Sequence, residues 1–207
     1  MAPPDLARAA SAALAAAIAQ RGRAEGPLLK VDEFLNHGVD PELLDLVGAG
    51  IAALFEEEPD LVLTAEASGI PPALGAARST GVGMVYAKKY PRGESMRPAF
   101  VREVTSPTKG DTYRIEVSRR VLPPGAAVLV VDDFLSGGRT AEALAGIVAE
   151  ADATLVGLGF AIEKSFTAGR QRLEAQGLRV ESLVRVTALE PDIVLEPGVV
   201  GAFPARG

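Results

Sequence analysis

The spacing of apolar residues changes several times along this chain, and each change predicts an element. In MAPPDLARAASAALAAAIAQRGR the apolar positions are mostly alanine, Asp5 precedes them, and the leading segment has no net positive charge. That pattern predicts an amphipathic helix starting near Pro4 and not a secretory signal. RGRAEGPLLKVDEFLNHGVD reads as loop and short extended structure. Asp40-Pro41 then gives a helix start, an N-cap residue followed by proline at the first helical position. The helix is expected to run through PELLDLVGAGIAALFEEE, with Leu43, Leu44, Val47, Ile51, Leu54 and Phe55 on one broad face.

Beyond residue 60 the apolar runs shorten. DLVLTAE is a buried strand ending in the turn Ala67-Ser68-Gly69, PPALGAARS a helix, and GMVYAKK a second strand. This β-α-β rhythm favours a parallel sheet. Residues 90–120 interrupt it with charges, prolines and glycines. There RPAFVREV and DTYRIEVS alternate on either side of TSPTKG, predicting an exposed β-ribbon with a mobile tip. The rhythm resumes with AAVLVVDDF, the most apolar strand, then a helix at TAEALAGIVAEA and a strand at TLVGLGFAIEK. A helix around TAGRQRLEAQG and a strand at RVESLVRV follow. The expected architecture is one α/β domain over 1–207, with a doubly wound, mainly parallel sheet. A ribbon is inserted at 90–120 and a small N-terminal region spans 1–40.

Composition narrows the chemistry. The 207 residues carry 21 basic and 27 acidic side chains, a net charge of −6. An acidic chain repels phosphate backbones, so general nucleic-acid binding is not expected. With no cysteine and a single histidine, His37, there is no thiol nucleophile, no thiolate site and no multi-histidine metal site. A serine triad would have to use His37 itself, and no partner for it is evident. No run reaches the roughly 18 unbroken apolar residues of a membrane span.

The informative segment is VLVVDDFLSGGRTA at 128–141. A buried strand delivers Asp132 and Asp133 at its C-terminal end, where open α/β sheets bind ligands. The backbone N–H groups of Ser136, Gly137, Gly138, Arg139 and Thr140 then converge at a helix start, suited to a phosphate. The carboxylates repel that phosphate and suit hydroxyls or a bound Mg²⁺. Anion donors beside carboxylates suit a sugar phosphate. A response-regulator receiver also carries paired acids after an aliphatic strand, but on its first strand, and here over half the chain comes before them.

The Asp-Asp pair and the small-residue loop ending at Thr140 resemble the phosphoribosyl diphosphate (PRPP) motif of type I phosphoribosyltransferases. LLKVDEFLNH at 28–37, AEASGIPPA at 65–73 and IEKSFTAGR at 162–170 resemble its bacterial xanthine phosphoribosyltransferase branch. The resemblance covers about residues 28–190. It implies transfer of the phosphoribosyl group from PRPP to xanthine in the cytoplasm, forming XMP and diphosphate. Mg²⁺ would be held mainly through PRPP, with no dedicated protein ligand, and the enzyme would be a homodimer.

By the same resemblance Asp132 and Asp133 hold the ribose hydroxyls and 136–140 the 5′-phosphate. Ala67, Ser68 and Gly69, with Lys88 and Lys89, meet the diphosphate. Ser106 and Lys109 belong to a flexible catalytic loop that Tyr113 helps close. Residues 1–40 become a base-binding hood in which Leu29, Asn36 and Lys164 contact xanthine and Phe166 stacks on it. Taken alone, the lysine pair also fits a solvated strand end, Asn36 a turn and Phe166 a core. The family loop commonly has threonine and two glycines where this chain has Gly137, Gly138 and Arg139. Arg139 then either contacts phosphate or points to solvent. Guanine or hypoxanthine as acceptor, and a PRPP-sensing regulator, are the alternatives. The regulator suffers from having only some 27 residues ahead of the family segment.

Overall fold

The structure is a computed structural model describing residues 3–93, 98–105 and 112–196. Helix α1, Pro3–Arg21, starts with Asp5 in its first turn and buries Ala7, Ala10, Leu14, Ala17 and Ile18 on one face. Strands β1, Arg23–Glu25, and β2, Leu28–Lys30, form an antiparallel hairpin whose turn uses Gly26 at φ +55°. Helix α2, Pro41–Ala52, begins as expected: the Asp40 carboxylate accepts the Leu43 N–H at 3.2 Å.

The end of α2 departs from expectation. The apolar period runs on to Phe55, but the helix stops at Ala52. Leu54 and Phe55 remain buried in a turn. Phe55 lies against Gly157 and Gly159, where a Cβ on Gly157 would come within 2.3 Å of its ring. The Arg179 guanidinium covers that ring at 4.9 Å and donates to the Leu54 carbonyl at 2.8 Å. The period therefore reports burial faithfully while the backbone has already left the helix.

The central layer follows as β3 (Leu61–Ala65), α3 (Ile70–Thr80), β4 (Gly83–Pro91), β5 (Ala99–Thr105), β6 (Thr112–Ser118) and β7 (Ala127–Leu135). It ends with α4 (Arg139–Glu150), β8 (Thr154–Lys164), α5 (Gly169–Glu174), β9 (Val180–Ala188) and β10 (Val194–Leu195). These strands make one eight-stranded sheet of order β10-β9-β8-β7-β3-β4-β6-β5. Its centre from β4 to β9 is parallel, and β10, β6 and β5 are antiparallel additions. Along β7, Leu129 and Val131 enter the core beneath α1, α2 and α3. Val128 and Val130 enter the core that holds Leu144, Ile147 and Val148 of α4. Both faces of the parallel centre are thus covered, as such sheets require.

The ribbon forms as predicted but is not an exposed excursion. β6 pairs with β4, and Phe100, Val104, Ile115 and Val117 are buried in the α4-side core. Its alternation of apolar and charged residues is that of a half-covered sheet edge. The chain winds outward from β3 to β4 in one direction and from β7 through β8 to β9 in the other. The switch point falls between β3 and β7, where an open sheet forms its crevice.

Candidate functional site

Both strands at the switch point end in turns that face the crevice. At the end of β7 the two carboxylates part. Asp132 lines a cleft of about 140 Å³ together with Thr105, Tyr113, Phe134, Ser136 and Thr140. Asp133, only 6% exposed, accepts a 2.9 Å hydrogen bond from the Asn36 amide nitrogen. Burial pushes the Asp132 carboxyl well above the usual carboxylate range and the Asp133 charge pushes it further, while the Lys89 ammonium opposes the shift. A carboxyl shifted this way by burial and a like charge inside a crevice is a mark of a functional position.

The turn after β7 passes through Gly138 at φ +75°, a backbone state glycine adopts without penalty, and α4 begins at Arg139. The first N–H groups of a helix have no partner within it, so this turn offers donors to an anion. Arg139 is exposed, and its Nη1 donates to the Thr105 carbonyl at 3.1 Å, at the end of β5. The Tyr113 hydroxyl lies 3.4 Å from Thr140 Oγ1. Ser106 and Lys109 lie outside the described residues.

The turn after β3 closes against the same carboxylate. A Cβ on Gly69 would fall 2.2 Å from Thr64 Oγ1 and 2.4 Å from Asp132 Oδ1. Only glycine lets Ala67, Ser68 and Gly69 approach so closely. Glu66 ties this turn to β4 by accepting the Lys89 N–H at 2.6 Å. The lysine pair separates by strand alternation. The Lys89 ammonium sits 5.4 Å from the Tyr113 ring centre and acts on Asp132. Lys88 instead lines a groove of about 560 Å³ on the other face of β4 and β6, beside Tyr86 and Val121. Of the two lysines expected at the diphosphate, only Lys89 faces this chain's own crevice.

The hood closes the remaining side. Leu29 is buried, and the Lys164 ammonium, at the end of β8, donates to the Pro27 carbonyl at 2.9 Å. Burial lowers the Lys164 pKa from its ordinary value. Its Nζ lies 5.7 Å from the Phe134 ring centre. Phe166, by contrast, is 49% exposed. His37 is exposed as well.

The structure therefore brings together Asp132, Asp133, Asn36, Lys89, Lys164, the 67–69 turn and the 136–140 turn. Sequence reasoning passed over Phe134 and Glu66. Phe134 follows the carboxylate pair directly, and the strand's inward direction at that point was the signal for it. Glu66 gave no signal, because its role is a bond to a backbone 23 residues away. Among the described residues no helix is long and apolar enough to cross a membrane.

Residues 31–183 match the model of the phosphoribosyl transferase domain. A xanthine phosphoribosyltransferase of Chloroflexus aurantiacus is 44% identical over 161 residues, covering 77% of this chain and 76% of that protein. One from Pseudomonas entomophila is 42% identical over 184 residues, covering 86% and 97%. Among solved structures, adenine phosphoribosyltransferase from Rhodothermus marinus superposes with a TM-score of 0.68 at 26% identity. That match covers 84% of this chain and 99% of that one.

Proposed function

Because the chain belongs to the phosphoribosyl transferase domain family, we propose that its crevice transfers the 5-phosphoribosyl group of PRPP to xanthine, giving XMP and diphosphate. The observation that carries this reading is the convergence of two turns and two carboxylates at one switch point, with the half-buried Lys164 ammonium above them. The bond from the ribose carbon to diphosphate breaks as the bond to a purine nitrogen forms, through an oxocarbenium-like state. Positioning and charge stabilisation supply the catalysis. The 136–140 turn takes the 5′-phosphate, Asp132 and Asp133 the ribose hydroxyls, and Lys89 with the 67–69 turn the diphosphate.

Xanthine presents two carbonyl oxygens, so its pocket needs donors. Lys164 can only donate. Asn36 is directed by Asp133: an ionised carboxylate accepts only, so the amide must turn its nitrogen toward it. The second N–H of that amide is then left for the 2-oxo group, where guanine carries an amine instead. Phe134 lies at the right distance from Lys164 to stack on the base.

Asp132 and Asp133 are hard oxygen donors suited to Mg²⁺. The oxygens of PRPP would supply most of the ion's ligands, and there it would neutralise charge growing on the departing diphosphate. We propose that the enzyme acts in the cytoplasm as a homodimer, with the N-terminal part and the ribbon near the subunit contact.

The test is a steady-state assay with PRPP and Mg²⁺, offering xanthine, guanine, hypoxanthine and adenine in parallel. The highest kcat/KM with xanthine supports the reading. A higher value with another purine overturns the pocket assignment but keeps the PRPP site. PRPP binding without any base reacting favours a regulator.

A further inference from the structure

Between the base pocket and the phosphate turn runs the segment 164–170, to which the proposed reaction assigns only Lys164 at its start. The Thr167 hydroxyl lies 2.7 Å from the Lys164 carbonyl and 2.9 Å from the Ser136 carbonyl. It has one proton for two acceptors. The Lys164 carbonyl also receives the Thr167 N–H at 3.0 Å and keeps a second lone pair, so the hydroxyl proton is shared between the Lys164 and Ser136 carbonyls. The next contact is equally close: a Cβ on Gly169 would fall 1.8 Å from the Ser136 carbonyl oxygen, and one on Gly138 3.1 Å from the Gly169 carbonyl. Residues 167–169 thus form the floor on which the phosphate turn rests.

That floor has a buried foundation. Glu163, 1% exposed, accepts from Arg170 Nε at 2.9 and 3.1 Å, from Arg170 Nη2 at 2.7 Å and from Ser182 Oγ at 2.7 Å. Arg170 also donates to the Val180 carbonyl at 2.7 Å. A buried ion pair is weak evidence for stability, but so many directed bonds fix geometry. They hold the start of α5, and with it Gly169 and Thr167, against β8 and β9.

We propose that Thr167 is a positioning residue for PRPP, setting through the Ser136 carbonyl the height of the turn that takes the 5′-phosphate. The inference rests on the phosphoribosyl-transfer reading, since it assumes what the turn holds. It acts on one substrate more than the other. Lys164 keeps further holds beyond Thr167, its register with Val186 and its bond to Pro27, while Thr167 is the side chain that donates to the Ser136 carbonyl.

The experiment compares wild type, Thr167→Val, which keeps the shape and removes the hydroxyl, and Thr167→Ser, which restores it. PRPP affinity is titrated directly without base, and KM is measured for each substrate. Thr167→Val should weaken PRPP binding and raise its KM about three- to tenfold, the worth of one hydrogen bond. The xanthine KM at saturating PRPP and the unfolding midpoint should stay near wild type, and Thr167→Ser should recover the PRPP affinity. Unchanged PRPP affinity in Thr167→Val overturns the proposal, as does a loss shared equally by both substrates or left unrepaired by serine. Wild type that binds PRPP but transfers to no purine refutes the transferase reading instead, and the titration still decides the role of Thr167.

Discussion

The turn proposed for the phosphate and the pocket proposed for the base face each other across one crevice, yet they are built by opposite means. The turn lies within nine consecutive residues, Asp132 to Thr140, at the junction of β7 and α4, and its donors are backbone N–H groups. The pocket is assembled from side chains far apart in the chain. Asn36 meets Asp133 across 97 positions, and Lys164 meets Pro27 across 137. Backbone machinery therefore tolerates a change of side chain wherever there is open space. A pocket of side chains can change its base without touching the transfer chemistry.

The sharpest way to break this contrast is a pair of glycines in the anion-binding turns. At Gly69 a methyl group meets Thr64 Oγ1 and Asp132 Oδ1, while at Gly137 it meets nothing within 4 Å. Gly69→Ala should lower kcat/KM for PRPP about a hundredfold, the cost of displacing a reacting group by the order of an ångström. Gly137→Ala should stay within about twofold. Comparable losses in both variants would mean that the 136–140 turn is no open backbone cradle.

The same contrast explains what could be read in advance. The parallel centre of the sheet, the Asp40 cap and the 128–141 segment were legible because their causes are local: aliphatic runs, a capping side chain, a strand end followed by small residues. The end of α2 was not, since Phe55 is drawn out of helical path by glycines 157 and 159, a hundred residues on. Nor was the direction of Lys88, because its alternation with Lys89 depends on where β4 lies in the sheet. The resemblance singled out Asn36 and Lys164 as expected base contacts, but the bonds orienting them became visible only in the fold.

On the pocket side, Lys164→Ala should reduce kcat/KM for xanthine about ten- to a hundredfold, the range for a hydrogen bond from a charged donor. PRPP affinity measured by titration should not change. A matching loss of PRPP affinity would show that the two regions are not separable.

Asp132 links the regions through pH. Burial, and then the charge of Asp133, raise its pKa, while holding a ribose hydroxyl as an acceptor favours the ionised form. As pH falls through that elevated value, kcat/KM for PRPP should drop about tenfold per unit, starting above the usual carboxylate range. For folding the sign is the reverse. A raised carboxyl pKa contributes stability that is present at low pH and lost as pH rises through it. Asp132→Asn should therefore flatten the acid limb of a much reduced activity and raise the unfolding midpoint at neutral pH. An acid limb that persists in Asp132→Asn would assign it to another group.

The smallest expected effects separate two aromatic rings. Phe134 follows the carboxylates, lines the cleft with Asp132 and lies 5.7 Å from the Lys164 ammonium, so a purine placed beneath Lys164 meets its ring. Phe166 follows Lys164 by two residues but is 49% exposed, and the neighbouring Thr167 turns toward the phosphate side. Removing a ring that stacks costs the base about fivefold in affinity, beyond what lost contact area alone would take. Phe134→Ala should therefore raise the xanthine KM by about that factor, and Phe166→Ala by about twofold or less. The reverse ranking would return the stacking role to the residue beside Lys164. It would also make the base side of the crevice as contiguous in sequence as the phosphate side, which is the one result that removes the difference between them.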